Sequence, residues 1–404
     1  MKAIIKKGKL NGSIKAIASK SYLHRYIIAC ALSNGESRIN FDTSMLSNDI
    51  LATLSCIESL GASYEISDGY IKISGIKKKT TVPVLDAKES GSTLRFLVPI
   101  SLCIYDKVII KVSKRLLERG IDGYAKLFKE NNIKVECHDD SIILNGKIKN
   151  DNFVVDDVSS SQYVTGLLFA SAYLNKHVKI SVKGSLNSIN YIDISLSVLS
   201  STGIKIIKED NTFNIYPSSF KCGIYDIEGD YSNSAFLDAF NYFGSFVDVT
   251  NLNPESLQGD KVYKEYFDIL DSRFDVIDIS NSIDLGPILF VFASLKHGAK
   301  FKGCKRLKIK ESNRLDDMLE ELAKIGVKAI KEDCDDTVTV KSTCIDNYQN
   351  ITFNSHNDHR LAMALSLVLS KIGGVIEDSS AVNKSYPKFF EDLKYLGLDV
   401  EVVE

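Results

Sequence analysis

One local pattern returns along this chain at an almost fixed interval: an amphipathic helix, a break at Gly or a polar residue, then a short apolar strand. It reads CIESLGASYEI (56–66), LFKENNIKVEC (127–137), VLSSTGIKII (198–207), ELAKIGVKAI (321–330) and DLKYLGLDVEV (392–402), with a weaker copy in DILDSRFDVIDI (268–279). Aligned on Gly61, Asn132, Gly203, Phe274, Gly326 and Gly397, the breaks are 71, 71, 71, 52 and 71 residues apart. Gly and Asn stop a helix there because they tolerate the left-handed conformation. Solenoid repeats run to roughly 20–50 residues, so this longer period predicts a few globular α/β modules packed together. Further strand-like runs, such as KVIIKVS (107–113) and VKISVKG (178–184), lie between the breaks. A second helix accompanies most copies, as in QYVTGLLFASAYL (162–174) and LGPILFVFASLKHG (285–298). Six modules, three to a domain, is the simplest division.

Length agrees with that division, since 404 residues exceed what one core usually organises. The segment KCGIYDIEGDYSNS (221–234), punctuated by Gly and Asp, is the expected inter-domain break and reads as a stiff hinge. A hydrophobic share of 44% and a charged share of 25% leave no long stretch for disorder. Net charge of −2 argues against a nucleic-acid partner, though not against a local basic pocket. No apolar run reaches the roughly 18–20 residues of a membrane span, and the charged N-terminus does not read as a signal peptide. The eight cysteines are scattered with no CxxC spacing, which suits reduced thiols in a cytoplasm.

Polar groups interrupt apolar helical text at several places. In ASKSYLHRYIIACAL (18–32), Ser19 reads as a helix cap, with Lys20, Ser21, His24 and Arg25 in the first turns. A helix start flanked by Lys and Arg is an anion site, although a capped surface helix with solvated charges explains the motif equally well when read alone. In ESGSTLRFLVPI (89–100), Gly91, Ser92 and Thr93 form a small-residue turn before Arg95, and the basic run SKRLLERG (113–120) adds Arg115 and Arg119. Neither is a P-loop nor a GxGxxG, so nucleotide binding is not indicated. In VSSSQYVTGLL (158–168), one Ser suffices as a cap, and the remaining hydroxyls and Gln162 are available to an oxyanion or a hydroxyl-rich ligand. In KIKESNRLDDM (308–318), Lys310 and Arg314 share a helix face beside Glu311, which an ion-paired surface would also produce. Asp284 precedes an apolar helix, Asp358, His359 and Arg360 open another, and Lys384 stands before a Pro-marked helix start. His356 and His359 lack a third ligand, so no metal is expected, and no cofactor either. Taken together, cations recur at the starts of buried helices in both halves. That placement suits a cleft for a polyanionic small molecule.

In this order, from Lys20 to Lys384, the clusters resemble the 5-enolpyruvylshikimate-3-phosphate synthase family (3-phosphoshikimate 1-carboxyvinyltransferases). The resemblance implies an α/β fold: a two-domain inside-out α/β barrel of six βαβαββ repeats, three per domain. It implies domains of residues 1–15 plus 226–404, and 16–225. It implies transfer of the enolpyruvyl group of phosphoenolpyruvate to the 5-hydroxyl of shikimate 3-phosphate, with release of phosphate. By motif, Lys20, Ser21, Arg25, Ser160, Ser161, Gln162, Ser188, Tyr191, Asp284 and Lys310 resemble shikimate 3-phosphate contacts. Lys20, Gly91, Arg115, Gln162, Arg314, Arg360 and Lys384 resemble phosphoenolpyruvate contacts, and Asp284, Glu311 and Lys20 the catalytic set. Gln258-Gly259-Asp260 matches a family motif without a sharp role. Glu89 in place of Asn, Gly120 in place of Pro and Arg306 in place of Asn depart from the common pattern.

The chemistry accounts for the inventory. Phosphoenolpyruvate carries a carboxylate and a phosphate, which Arg forks bind bidentately. Adding a hydroxyl to C2 while C3 gains a proton demands a base and an acid, expected in Asp284 and Glu311. Anion-binding residues in both halves imply that the first substrate draws the domains together. A related transferase acting on UDP-N-acetylglucosamine typically has Asn after the first Lys and a loop bearing a reactive Cys. Here Ser21 follows Lys20 and SKRLLERG holds no Cys. A non-catalytic anion binder would have no use for positioned acid–base groups. A cytoplasmic monomer acting on the two small molecules is expected.

Overall fold

Each of the five clear breaks ends its helix in the left-handed region, with φ of 108° at Gly61, 55° at Asn132, 90° at Gly203, 79° at Gly326 and 97° at Gly397. The strand that follows, namely Ser63–Ser67, Lys134–Cys137, Ile206–Glu209, Ala329–Glu332 and Val400–Val403, is in each case the outermost of a four-stranded sheet. The computed structural model describes residues 1–156, 160–184 and 188–404. Its contacts divide the chain into a unit of Ala18–Ile227 and a unit of Met1–Ile17 with Glu228–Glu404, called here the 18–227 and 228–404 units.

The 18–227 unit contains three sheets of one design. A parallel pair is extended by two antiparallel strands, in the order 84–86, 107–111, 141–145, 134–137 for one sheet and 152–155, 178–182, 212–215, 206–209 for another. Parallel neighbours need a crossover, and the helices Gly91–Ile104 and Ser161–Tyr173 supply it. The third sheet has the same order, but its first strand, Ile224–Asp226, arrives from the far end of the unit to pair with Glu36–Asn40.

The 228–404 unit repeats the design in 276–278, 299–302, 337–340, 329–332. In its second sheet the N-terminal strand Lys2–Ile5 inserts between Gly374–Glu377 and Val400–Val403. Its third sheet has two strands among the described residues, Asn11–Lys15 parallel to Phe246–Thr250. That module has its helices, Tyr231–Asp238 and Tyr263–Ser272, but no strand hairpin after them. The chain passes through Phe274 directly into Val276–Asp278, the first strand of the next sheet. The weak copy at Phe274 and the 52-residue interval therefore have one cause, a missing hairpin.

The core decides where functional groups can stand. Every residue of Gly91–Ile104 except Ser92 is buried, as is every residue of His359–Ile372 except Lys371. Lys20–Leu32, Ser161–Tyr173, Tyr231–Asp238 and Gly286–Leu295 are nearly as enclosed. At Gly166 a Cβ would lie 2.4 Å from the Arg95 carbonyl oxygen, so only Gly allows these helices to approach so closely. A helix packed on all sides is not an amphipathic surface element, and it has only its ends to offer a ligand. No described helix is long and apolar enough to cross a membrane.

Candidate active site

In the 18–227 unit the starts of two buried helices are joined by side-chain bonds, and a third, Lys20–Leu32, begins at a lysine paired with another helix. Ser90 caps Gly91–Ile104 by accepting from the Thr93 amide at 3.2 Å, and Ser160 caps Ser161–Tyr173 by accepting from the Gln162 amide at 3.3 Å. Ser19 stands at the cap position of Lys20–Leu32 without making the expected side-chain cap. Gln162 bridges the two capped helices: its Nε2 donates to Ser92 Oγ at 3.0 Å, and its Oε1 accepts from Arg95 Nη1 at 2.8 Å. Arg95 also donates to the carbonyls of Arg119 and Gly120 at 3.1 and 3.2 Å. Lys20 Nζ lies 2.9 Å from Asp49 Oδ2, in the first turn of the helix Asn48–Ser59.

Arg25 is buried, and no carboxylate among the described residues pairs with it. It donates to Ser195 Oγ at 2.8 Å and to the carbonyls of Ser21 and Tyr191 at 2.7 and 2.9 Å. Burial lowers its pKa to about 10. Burial also holds the neighbouring His24 imidazole well below the usual histidine range, and the charges of Lys20 and Arg25 push the same way. Ser188, with φ of 56°, caps by position the helix Ile189–Ser201 that carries Tyr191 and Ser195. Val158 and Ser159 of the VSSSQ run, and Asn187 before Ser188, lie outside the described residues.

Arg115 and Arg119 part company. Arg115 is partly exposed and pairs with Glu118 at 3.3 Å. Arg119 reaches the turn at Gly91, where a Cβ would lie 2.9 Å from its Nη2 and 3.1 Å from Arg95 Nη1. Gly91 therefore leaves room for two guanidinium groups at a helix start.

In the 228–404 unit the expected residues form one charge lattice. Asp284, in the turn before Gly286–Leu295, accepts at Oδ1 from Lys310 Nζ at 3.1 Å and from Arg314 Nη1 at 2.9 Å. Its Oδ2 is 3.3 Å from Arg360 Nη2, and its main-chain oxygen accepts from Arg360 Nη1 at 3.2 Å. Arg314, with no exposed side-chain surface, also donates to Glu311 at 2.6 Å and to both oxygens of Asp358 at 2.8 and 3.2 Å. Asp358 in turn caps His359–Ile372 through the Arg360 amide. Lys384 Nζ donates to the Asn357 carbonyl at 2.5 Å.

Burial by itself would raise the Asp284 pKa, but Arg360, Lys310 and Arg314 outweigh it and hold the carboxyl well below the ordinary range. Burial lowers Lys310, against the pull of Asp284. Behind them lies Asp260, which accepts from the Ser232 hydroxyl. Burial, reinforced by the charge of Asp284, pushes its pKa up to about 6. Gln258 locks the same corner, donating to Glu228 at 2.7 Å and to the Gly229 carbonyl at 2.8 Å.

The sequence passed over Asp49 and gave Arg95 no role. Arg95 had a signal, standing one helical turn after Gly91, whereas nothing local marked Asp49.

The chain matches the family described as EPSP synthase (3-phosphoshikimate 1-carboxyvinyltransferase) over residues 4–393. It is 35% identical to the 3-phosphoshikimate 1-carboxyvinyltransferase of Clostridioides difficile (strain 630), over 96% of each chain. It is 32% identical to that of Brachyspira hyodysenteriae, over 99% of this chain and 100% of the relative. The EPSP synthase structure from Acinetobacter baumannii at 2.37 Å superposes with a TM-score of 0.78 at 18% identity, covering 100% of both chains, and so shares the fold. With repeats, helix starts and charge lattice in agreement, this chain belongs to the EPSP synthase family.

Proposed function

We propose that Asp284 and Glu311 handle the protons of the enolpyruvyl transfer that this chain performs, from phosphoenolpyruvate to shikimate 3-phosphate in the shikimate pathway. One observation carries the reading: a single carboxylate, Asp284, is held by Lys310, Arg314 and Arg360, and Arg314 also holds Glu311. A carboxylate so tied is a poor base. Phosphoenolpyruvate brings its own phosphate and carboxylate, which compete for the same guanidinium and ammonium groups. As these cations turn to the substrate, Asp284 loses the charges that depress it and its pKa rises toward that of a working base.

In the addition step the shikimate 3-phosphate 5-hydroxyl oxygen bonds to C2, its proton passes to Asp284, and Glu311, aided by Lys20 or Lys310, protonates C3. In the elimination step the C2–phosphate bond breaks, C3 returns a proton to a carboxylate, and the double bond is restored. Shikimate 3-phosphate is assigned to Lys20, Ser21, Arg25, Ser160, Ser161, Gln162, Ser188, Tyr191, Asp284 and Lys310. Phosphoenolpyruvate is assigned to Lys20, Gly91, Gln162, Arg314, Arg360 and Lys384, with Arg119 in place of Arg115 because Arg119 is the one that reaches Gly91.

The two units are taken as the two domains, working as a cytoplasmic monomer without a nucleic-acid partner, in keeping with a net charge of −2. Phosphate release from phosphoenolpyruvate, measured with each acceptor, tests the assignment. Release with shikimate 3-phosphate and none with UDP-N-acetylglucosamine is expected, and the reverse pattern would overturn it.

A further inference from the structure

The strand Ile351–Asn354 passes into the helix His359–Ile372 through a turn with two consecutive non-glycine residues in the left-handed region, His356 at φ 50° and Asn357 at φ 54°. Asn and His adopt this region more readily than most residues, and the side chains around the turn fix which conformation it keeps. The turn presents two acceptors to two cations. The Asn357 carbonyl receives Lys384, and the next side chain, Asp358, receives Arg314 through both oxygens.

The enforcing groups stand on the helix Arg314–Ala323, which also carries Arg314. Glu321 is seven residues on from Arg314, about 10 Å along the same face. Its side chain is 1% exposed, and its Oε2 accepts from the Asn354 amide at 2.9 Å and from Lys324 Nζ at 2.6 Å. Its Oε1 accepts from His356 Nε2 at 2.9 Å. Asp317, one turn earlier, faces His356 Nδ1 at 3.8 Å. The turn is thus gripped by one helix at two points: Arg314 on Asp358, and Glu321 on Asn354 and His356.

We infer that Glu321 and His356 are positioning residues for phosphoenolpyruvate binding: they hold the left-handed turn so that Asp358 stays on Arg314 and Asn357 on Lys384. The inference rests on the assignment of Arg314, Arg360 and Lys384 to phosphoenolpyruvate. Neither residue touches substrate in this role. If the grip loosens, the turn gains freedom and the two cations lose their alignment, while the shikimate 3-phosphate contacts of the 18–227 unit are untouched.

Steady-state kinetics of the full chain test this. His356→Leu, which keeps bulk but removes the donor to Glu321, should raise KM for phosphoenolpyruvate about tenfold, the scale of one hydrogen bond to a charged group. KM for shikimate 3-phosphate should stay within about twofold. His356→Gln, which restores an N–H of similar reach, should recover most of the loss. Amide exchange over residues 354–358 should quicken in His356→Leu and return toward the parent rate in His356→Gln. An unchanged KM for phosphoenolpyruvate in folded His356→Leu, an equal rise in both KM values, or no recovery with Gln would overturn the inference. A parallel Arg360→Lys variant separates the two levels of argument. If it raises KM for phosphoenolpyruvate and His356→Leu does not, positioning alone fails; if it leaves that KM unchanged, the underlying assignment fails.

Discussion

The buried arginines of the two units are held in opposite ways, whereas Lys20 of the 18–227 unit pairs with Asp49 and Lys384 of the 228–404 unit donates to a main-chain carbonyl. In the 18–227 unit Arg25 and Arg95 are bound by hydroxyls, an amide and main-chain carbonyls, and neither meets a carboxylate among the described residues. In the 228–404 unit Lys310, Arg314 and Arg360 all converge on Asp284, and Arg314 adds Glu311 and Asp358. A cation held by neutral dipoles keeps its field and suits an anion that must only be bound. A cation held by a carboxylate is neutralised until a substrate competes for it, and that competition changes the protonation of the group left behind. The first arrangement suits recognition and the second suits proton transfer.

Asp284 gives the strongest means of breaking this contrast. Asp284→Ala should lower kcat by about a thousandfold, the range for a removed general base, while shikimate 3-phosphate still binds in calorimetry. Turnover within about tenfold of the parent would remove Asp284 from the proton path. Arg25 probes the other arrangement. Arg25→Met keeps the stem but removes the bonds to the Ser21 and Tyr191 carbonyls and to Ser195, which keeps Thr165 and the Tyr191 carbonyl as partners, at about 1–3 kcal/mol of stability in urea unfolding. Because no described carboxylate is left unpaired, and burial with the Lys20 charge still holds His24 below the usual histidine range, the loss should change little between about pH 5 and pH 8. A strongly pH-dependent loss would mean that Arg25 balances a charge after all.

Much of this was legible in the sequence because it rests on local chemistry. Five breaks required residues that tolerate positive φ, and the polar clusters stood out against helices that are otherwise apolar. The charge lattice around Arg314 came from residues up to 76 apart in sequence, and no spacing rule gathers Asp284, Lys310, Asp358 and Arg360. The family resemblance supplied that grouping. Two features escaped for physical reasons. The hairpin missing after Tyr263–Ser272 left an apolar strand behind, so the pattern at Phe274 survived with a different meaning. Ser19 has the residue type of a cap but makes no side-chain cap, because residue type reports preference and not the bond.

Arg115 and Arg119 illustrate the same limit and offer the next test. They are four residues apart in a short helix, Lys114–Arg119, and periodicity puts both on one face. Only the approach of Arg119 to Gly91 tells them apart. Arg119→Ala should raise KM for phosphoenolpyruvate about tenfold, and Arg115→Ala less than about twofold, since its pair with Glu118 is an exposed one. The opposite ranking would return the role to Arg115 and make the crowding at Gly91 a matter of packing alone.

The smallest expected effect concerns Asp260, where the carboxylate-rich arrangement meets a carboxyl that lacks an adequate cation. Its pKa is raised to about 6 in the folded chain, by burial and by the charge of Asp284. The unfolded chain titrates this group near the ordinary aspartate value, about 4. Between the two values the folded state binds more protons, so stability falls as pH rises through that window and levels off above about pH 6. Asp260→Asn removes the ionisation and keeps an oxygen to accept from Ser232. Relative to the parent, the variant should therefore gain about 1 kcal/mol on going from about pH 5 to pH 7.5 in urea unfolding. A difference that stays flat across this range would show that Arg360 compensates the Asp260 charge in full, and that the 228–404 unit carries no unbalanced carboxylate at this corner.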